Sequence, residues 1–161
     1  MITLFTIGYE GASIEDFVAS LALAGVQQVL DVREIAQSRR RGFSKNGLAE
    51  ALRASGIDYS HSRQLGDPKP GREAARRGDL DQFKRIFAAH LALPETREAL
   101  SDAAELVQRA PTALLCFERN PQHCHRTLVA EQLAGVCSLS VRHLGVVENA
   151  GQRRGAVAEA A

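Results

Sequence analysis

Apolar residues along this chain fall in short blocks whose spacing alternates between strand-like and helix-like. Residues 2–10 (ITLFTIGYE) form a nearly continuous apolar run ending in a glycine-containing turn, the pattern of a buried strand. Ser13 followed three residues later by Asp16 is an aspartate version of the capping box. Phe17, Leu21 and Leu23 with intervening alanines then supply a helical apolar face that Gly25 stops. Residues 26–34 (VQQVLDVRE) are a second strand with charged Asp31, Arg33 and Glu34 at its far end, completing a β-α-β opening.

The later blocks repeat the alternation. Residues 36–47 (AQSRRRGFSKNG) read as a basic loop, residues 48–54 as a short helix closed by Gly56, and residues 57–62 (IDYSHS) as a strand. Residues 64–79, rich in glycine, proline and charge, read as a long irregular connection of the kind that often carries function. Helices are expected over 80–93 and 95–109, with Pro94 suited to a first turn. A strand (112–118), a tight loop (119–124), a helix (125–135) and a last strand (137–146) follow. Strands alternating with helices predict a three-layer α/β domain over residues 1–146, with a mainly parallel sheet of about five strands and helices on both faces. Residues 147–161 lack an apolar period and read as a flexible tail.

A chain of 161 residues, 45% hydrophobic, supports one core rather than two domains. Its apolar runs fall short of the roughly 18–20 residues that a membrane helix needs, and the start lacks the basic and small-residue features of a signal peptide. The expectation is a cytoplasmic protein without a membrane partner. Three cysteines, two beside histidines, do not suit a secreted disulfide framework. The net charge of +1 conceals an asymmetry: residues 33–85 hold 13 Lys/Arg against 7 Asp/Glu, and the remainder carries net negative charge. Such a basic middle fits a phosphate-containing small molecule or a nucleic acid.

Ligand crevices of parallel sheets lie beyond the strand carboxyl ends. Those ends carry Gly8, Tyr9 and Glu10; Asp31 and Arg33; Tyr59 and His61; and Cys116 and Glu118. The densest cluster runs from Cys116 and Glu118 to His123, Cys124, His125 and Arg126, where a helix start favours anions and thiolates. Three chemistries are open for it. Cys116 or Cys124 could be a nucleophile with a histidine as proton acceptor. Cys116, Cys124 and His125, with His123 or His61, could bind zinc, although the spacing is not that of a common zinc module. Alternatively the residues are structural, with Glu118 a helix cap. The spacing excludes a phosphatase loop, because the sixth residue after Cys116 is Gln122 and after Cys124 is Ala130. Cys137 opens an apolar strand and reads as core. Arg39 and Arg41, with Phe43 nearby, would add phosphate contacts beside the Asp31/Arg33 strand.

One family shares these landmarks in order: Thr6-Ile7-Gly8-Tyr9 with Phe17; Asp31-Val32-Arg33 with Ser38 and Phe43; Gly56-Ile57 and Tyr59 leading to Leu65-Gly66; and Leu115-Cys116-Phe117-Glu118 with Cys124-His125-Arg126. Over about residues 3–146 the chain resembles the uncharacterised family known as domain of unknown function 488. Members of that family often carry a histidine after the first glycine and a proline soon after Asp-Val-Arg, where this chain has Tyr9 and Ile35. The resemblance implies a compact α/β fold with a shared polar site and brings no reaction with it. Asp31-Val32-Arg33-Glu34 also resembles rhodanese domains, but their cysteine loop is absent.

The expectation is therefore an enzyme-like domain that binds a phosphate-containing ligand, a nucleotide or nucleic acid. Cys116, Glu118, Cys124, His125 and Asp31 are its candidate catalytic residues. Gly8, Tyr9, Glu10, Arg33, Arg39, Arg41, Tyr59, His61 and Arg126 are its candidate ligand contacts. A non-catalytic nucleotide- or nucleic-acid-binding module and a thiol-redox or metal-binding protein are the alternatives.

Overall fold

The computed structural model describes residues 1–152. Five strands, β1 (Ile2–Gly8), β2 (Gln28–Asp31), β3 (Asp58–His61), β4 (Thr112–Cys116) and β5 (Leu139–Leu144), form one all-parallel sheet in the order β3-β2-β4-β1-β5. Helices α1 (Ile14–Leu23) and α2 (Lys45–Ala54) follow the first two strands. Helices α3 (Lys69–Arg76), α4 (Leu80–Leu91) and α5 (Pro94–Arg109) link β3 to β4, and α6 (His125–Val136) links β4 to β5. Ser13 caps α1 by accepting from the backbone N–H of Asp16, and Gly25 and Gly56 take positive φ just beyond α1 and α2.

Strand side chains alternate between two cores, as the two-residue period requires. Phe5, Ile7, Val29, Ala113 and Leu115 pack with Phe17, Leu21, Leu48 and Leu52 from α1 and α2. Leu4, Leu30, Leu114 and Cys116 pack on the other face with Phe87, Leu100, Val107, Val129 and Leu133 from α4, α5 and α6. The predicted three-layer architecture is thus present, with a fully parallel sheet.

One segment departs from expectation. Residues 64–79 are ordered structure, a 3-10 turn (Arg63–Leu65) followed by α3, rather than an irregular connection. Pro70 stands in the first turn of α3, where its missing N–H leaves no helical bond unmade. At the other end of the molecule, the backbone N–H groups of Val147, Asn149 and Gly151 donate to Ser20 and to both Asp16 carboxylate oxygens on α1. The start of the expected tail is therefore tied down; the rest of it lies outside the described residues.

Candidate functional site at the strand carboxyl ends

Two polar groups stand at the carboxyl end of the sheet, one on each face. On the α1/α2 face, buried Asp31 accepts from Arg33 Nε at 2.9 Å, from Arg33 Nη2 at 2.7 Å and from the Tyr59 hydroxyl at 2.5 Å. Arg33 Nη1 donates to the Tyr9 hydroxyl at 3.2 Å and to the Phe43 carbonyl at 2.6 Å. Of the five N–H donors of a guanidinium, Arg33 has thus committed four. Burial and then the Asp31 carboxylate push the Tyr59 hydroxyl well above its ordinary range, keeping it a donor. The group braces the loop after β2 against Tyr59 on β3 and Tyr9 after β1.

The other face holds the sulfur chemistry. Cys116 ends β4, Cys124 is the N-cap of α6 and His125 is its first residue, all three buried. His125 Nε2–H donates to the Val32 carbonyl at 2.6 Å, which turns Nδ1 towards the two sulfurs. Nδ1 stands 3.6 Å from Cys116 Sγ and 3.9 Å from Cys124 Sγ, and the three donor atoms lie within 4.8 Å of one another. This cluster could hold a metal ion. The Cys116 thiol also faces Glu118 Oε2 at 3.7 Å.

These buried groups set each other's protonation. Burial opposes ionisation of the Cys124 thiol, but hydrogen bonds from Cys116 and His125, with the charges of His125 and Arg126, outweigh it and hold the thiol well below its usual range. Burial likewise opposes the His125 imidazolium; the bond and charge of Cys124 prevail and raise it to about 9. The Cys116 thiol rises, first through its bond to Cys124 and then through burial. Burial and the negative Cys124 raise Glu118 to about 7.

A cavity of about 520 Å³ opens beside the cluster, within the range of small-molecule sites. Tyr9, Arg33, Cys116, Phe117, Glu118 and His125 form its floor and one wall; Glu34, Ile35, Gln37 and Ser38 after β2, with Asp67, Arg72 and Arg76 at α3, form another. Arg72 Nη1 bridges Glu34 Oε2 at 3.1 Å and the Asp67 carbonyl at 2.7 Å. Burial raises the Asp67 carboxyl to about 6, and its Oδ1 is the one buried side-chain oxygen without a hydrogen bond among the described residues. Gly71 makes room for it, since a Cβ there would stand 2.1 Å from Oδ1.

The sequence-derived candidates separate into three groups. Tyr9, Arg33, Cys116, Glu118 and His125 meet at the cavity, with Cys124 directly behind. Asp31, Tyr59 and His61 sit beneath or beside the cavity; His61 Nε2–H donates to the Arg33 carbonyl at 2.7 Å. Arg126 is fully buried and donates to Thr6 Oγ1 and to the carbonyls of Glu118 and Arg119, so it holds the loop after β4. Gly8 serves the same loop: a Cβ there would meet the Glu118 carbonyl oxygen at 1.8 Å. Glu10 accepts from the Arg119 N–H at 3.0 Å and lines a separate depression, while Arg39 and Arg41 are exposed and outside the cavity wall. Asp67, Arg72 and Arg76 were not among the candidates, although they belong to the basic stretch read from the charge distribution. Cys137 is half-buried against the core, with its sulfur accepting from Gln108 at 3.5 Å.

An open parallel α/β sheet with a cysteine–histidine cluster and a polar cavity at its carboxyl edge defines the class of molecule. Within that class the chain belongs to the family described as domain of unknown function DUF488, whose model matches residues 13–133. No curated protein and no solved structure matches it. Among the described residues, no helix is long and apolar enough to cross a membrane.

Proposed function

We propose that the chain is an enzyme whose cavity takes a phosphate-containing ligand beside a zinc ion held by Cys116, Cys124 and His125. The observation that carries this reading is the placement of His125 Nδ1 at 3.6 and 3.9 Å from two thiol sulfurs. Zinc–sulfur bonds of roughly 2.3 Å and zinc–nitrogen bonds of about 2.0–2.1 Å at a tetrahedral angle put sulfur and nitrogen about 3.6 Å apart. The bond from His125 Nε2–H to the Val32 carbonyl is the outer contact that orients ligating imidazoles. Cys116, Cys124 and His125 would hold the ion, and when bound it would supply Lewis acidity to a ligand in the cavity.

The chain's own residues supply the rest. Glu118 lines the cavity beside Cys116 and can accept or return a proton from a bound ligand. Arg76 lines the wall as an exposed cation and Arg72 is its partly paired neighbour, so together they suit an anionic phosphate. Arg33, with four donors committed, shapes the floor instead.

A second reading has its own support: the depressed Cys124 thiol and the raised His125 describe a thiolate–imidazolium pair, the resting state of a cysteine nucleophile or redox centre. Metal analysis of protein purified without chelator separates the two. About one zinc per chain, lost in Cys124→Ser, is expected. Well-folded protein without metal, whose thiol alkylates rapidly at acidic pH, would replace the zinc reading by the nucleophile. Phosphate binding is tested by titrating inorganic phosphate: Arg76→Ala should weaken it several-fold, and the same affinity in both proteins would remove Arg76 from the site.

A further inference from the structure

We infer that the ligand of this cavity is a mononucleotide whose base stacks on Phe117, a deepening that rests on the phosphate reading above. Large apolar side chains at a ligand cavity are the starting point. Phe117 and Ile35 are 44% and 52% exposed, and both line the cavity wall. Leaving them in water forgoes the hydrophobic stabilisation that a partner covering them would recover. They follow the ends of β4 and β2, neighbouring strands, so they stand on adjacent loops of one rim.

Phe117 is held in place. Its carbonyl accepts from the Glu10 N–H at 2.9 Å, and its ring meets Tyr9 edge-to-face with centroids 5.4 Å apart. Tyr9 is itself stacked on Phe43 at 4.4 Å and bonded through its hydroxyl to Arg33. An open aromatic surface fixed by such a chain loses little freedom when a flat group stacks on it. The same cavity is lined by groups that match the edge of a base and its phosphate: the carboxyls of Glu118 and Asp67, the amide of Gln37, and the guanidinium groups of Arg72 and Arg76. A sugar phosphate would use the cations and leave the ring uncovered; a purely apolar ligand would leave the cations unused. One fixed ring in a cavity of about 520 Å³ suits a single base, which favours a free mononucleotide over a strand of nucleic acid.

Calorimetric titration of the protein purified without chelator with AMP, GMP, CMP, UMP and ribose 5-phosphate tests this. At least one nucleotide should bind ten-fold or more tightly than ribose 5-phosphate. Phe117→Ala should weaken that nucleotide roughly 5- to 150-fold, the range of base–aromatic stacking, while ribose 5-phosphate is unchanged. Ile35→Ala, a second exposed position, should weaken the nucleotide less and in the same selective way. Equal affinity for ribose 5-phosphate and nucleotides, or indifference to Phe117→Ala, overturns the base seat and leaves phosphate binding standing. If none of the five binds, the phosphate reading fails with it. Binding confined to a single-stranded oligonucleotide would overturn the mononucleotide assignment in favour of nucleic acid.

Discussion

Arg33 and Arg126 show how little a residue's type says about its task until its donors are counted. Both are cations at the sheet's carboxyl end, and both have given most of their hydrogen bonds to the protein itself. Arg33 is held by Asp31 in a pair that is buried on both sides, so removing one member strands the other's charge. Asp31→Ala should cost about 3–5 kcal/mol in urea unfolding, whereas Arg76→Ala, at an exposed position, should leave the midpoint nearly unchanged; a small loss for Asp31→Ala would show that the pair is not what braces the loop. Asp31, Arg33, Cys116 and Glu118 could be gathered from the sequence because strand ends in a parallel sheet share one edge, and His125 because it opens the helix after the fourth strand. Their division between two faces followed only once register and loop paths were known. Asp67 carried no signal, since a lone aspartate in Gly-Asp-Pro looks like any turn residue until burial removes its partners.

At the scale of elements, strands and most helices were legible because their apolar periods are long. Helix α3 was not. Its eight residues include a proline, a glycine and four charges, the composition of a loop, yet buried Gly71 and Ala74 against α4 and the Asp67 carboxyl keep it helical. That short helix supplies the cations of the cavity wall, so the misread segment is also the one that completes the site. A second element-level feature is the clasp between α1 and residues 147–151. The two backbone N–H groups of Gly151 and Asn149 hold the Asp16 carboxyl below its ordinary value. A carboxyl depressed in the folded state stabilises fully above the unfolded value near 3.8 and loses that contribution as pH falls through the folded value. In an NMR titration the Asn149 and Gly151 amide shifts should therefore move together with a midpoint below 3.8; a midpoint at or above it would mean that the clasp does not hold.

For the whole molecule, the near-zero net charge proved to be a sum of unlike regions, and the fold brings Arg33, Arg72 and Arg76 of the basic region to the cavity while Arg39 and Arg41 stay outside it. The charge excess was readable from sequence; the carboxyls that share the cavity with it, Glu34, Asp67 and Glu118, limit how positive the site becomes. Phosphate affinity should accordingly fall only modestly with added salt, in contrast to the steep slope of a protein neutralising many phosphates. A steep slope in phosphate or nucleotide titrations would show that cations outside the cavity take part.

The strand order carries one further consequence. The first strand of the chain lies in the sheet's interior between β4 and β5, which begin more than a hundred residues later. During synthesis, the apolar β1 must wait until β4 at Thr112–Cys116 has been made before the first of its two neighbours can cover it. Its closure is a long-range event of the slow kind, and until then the strand's apolar residues lack their sheet neighbours.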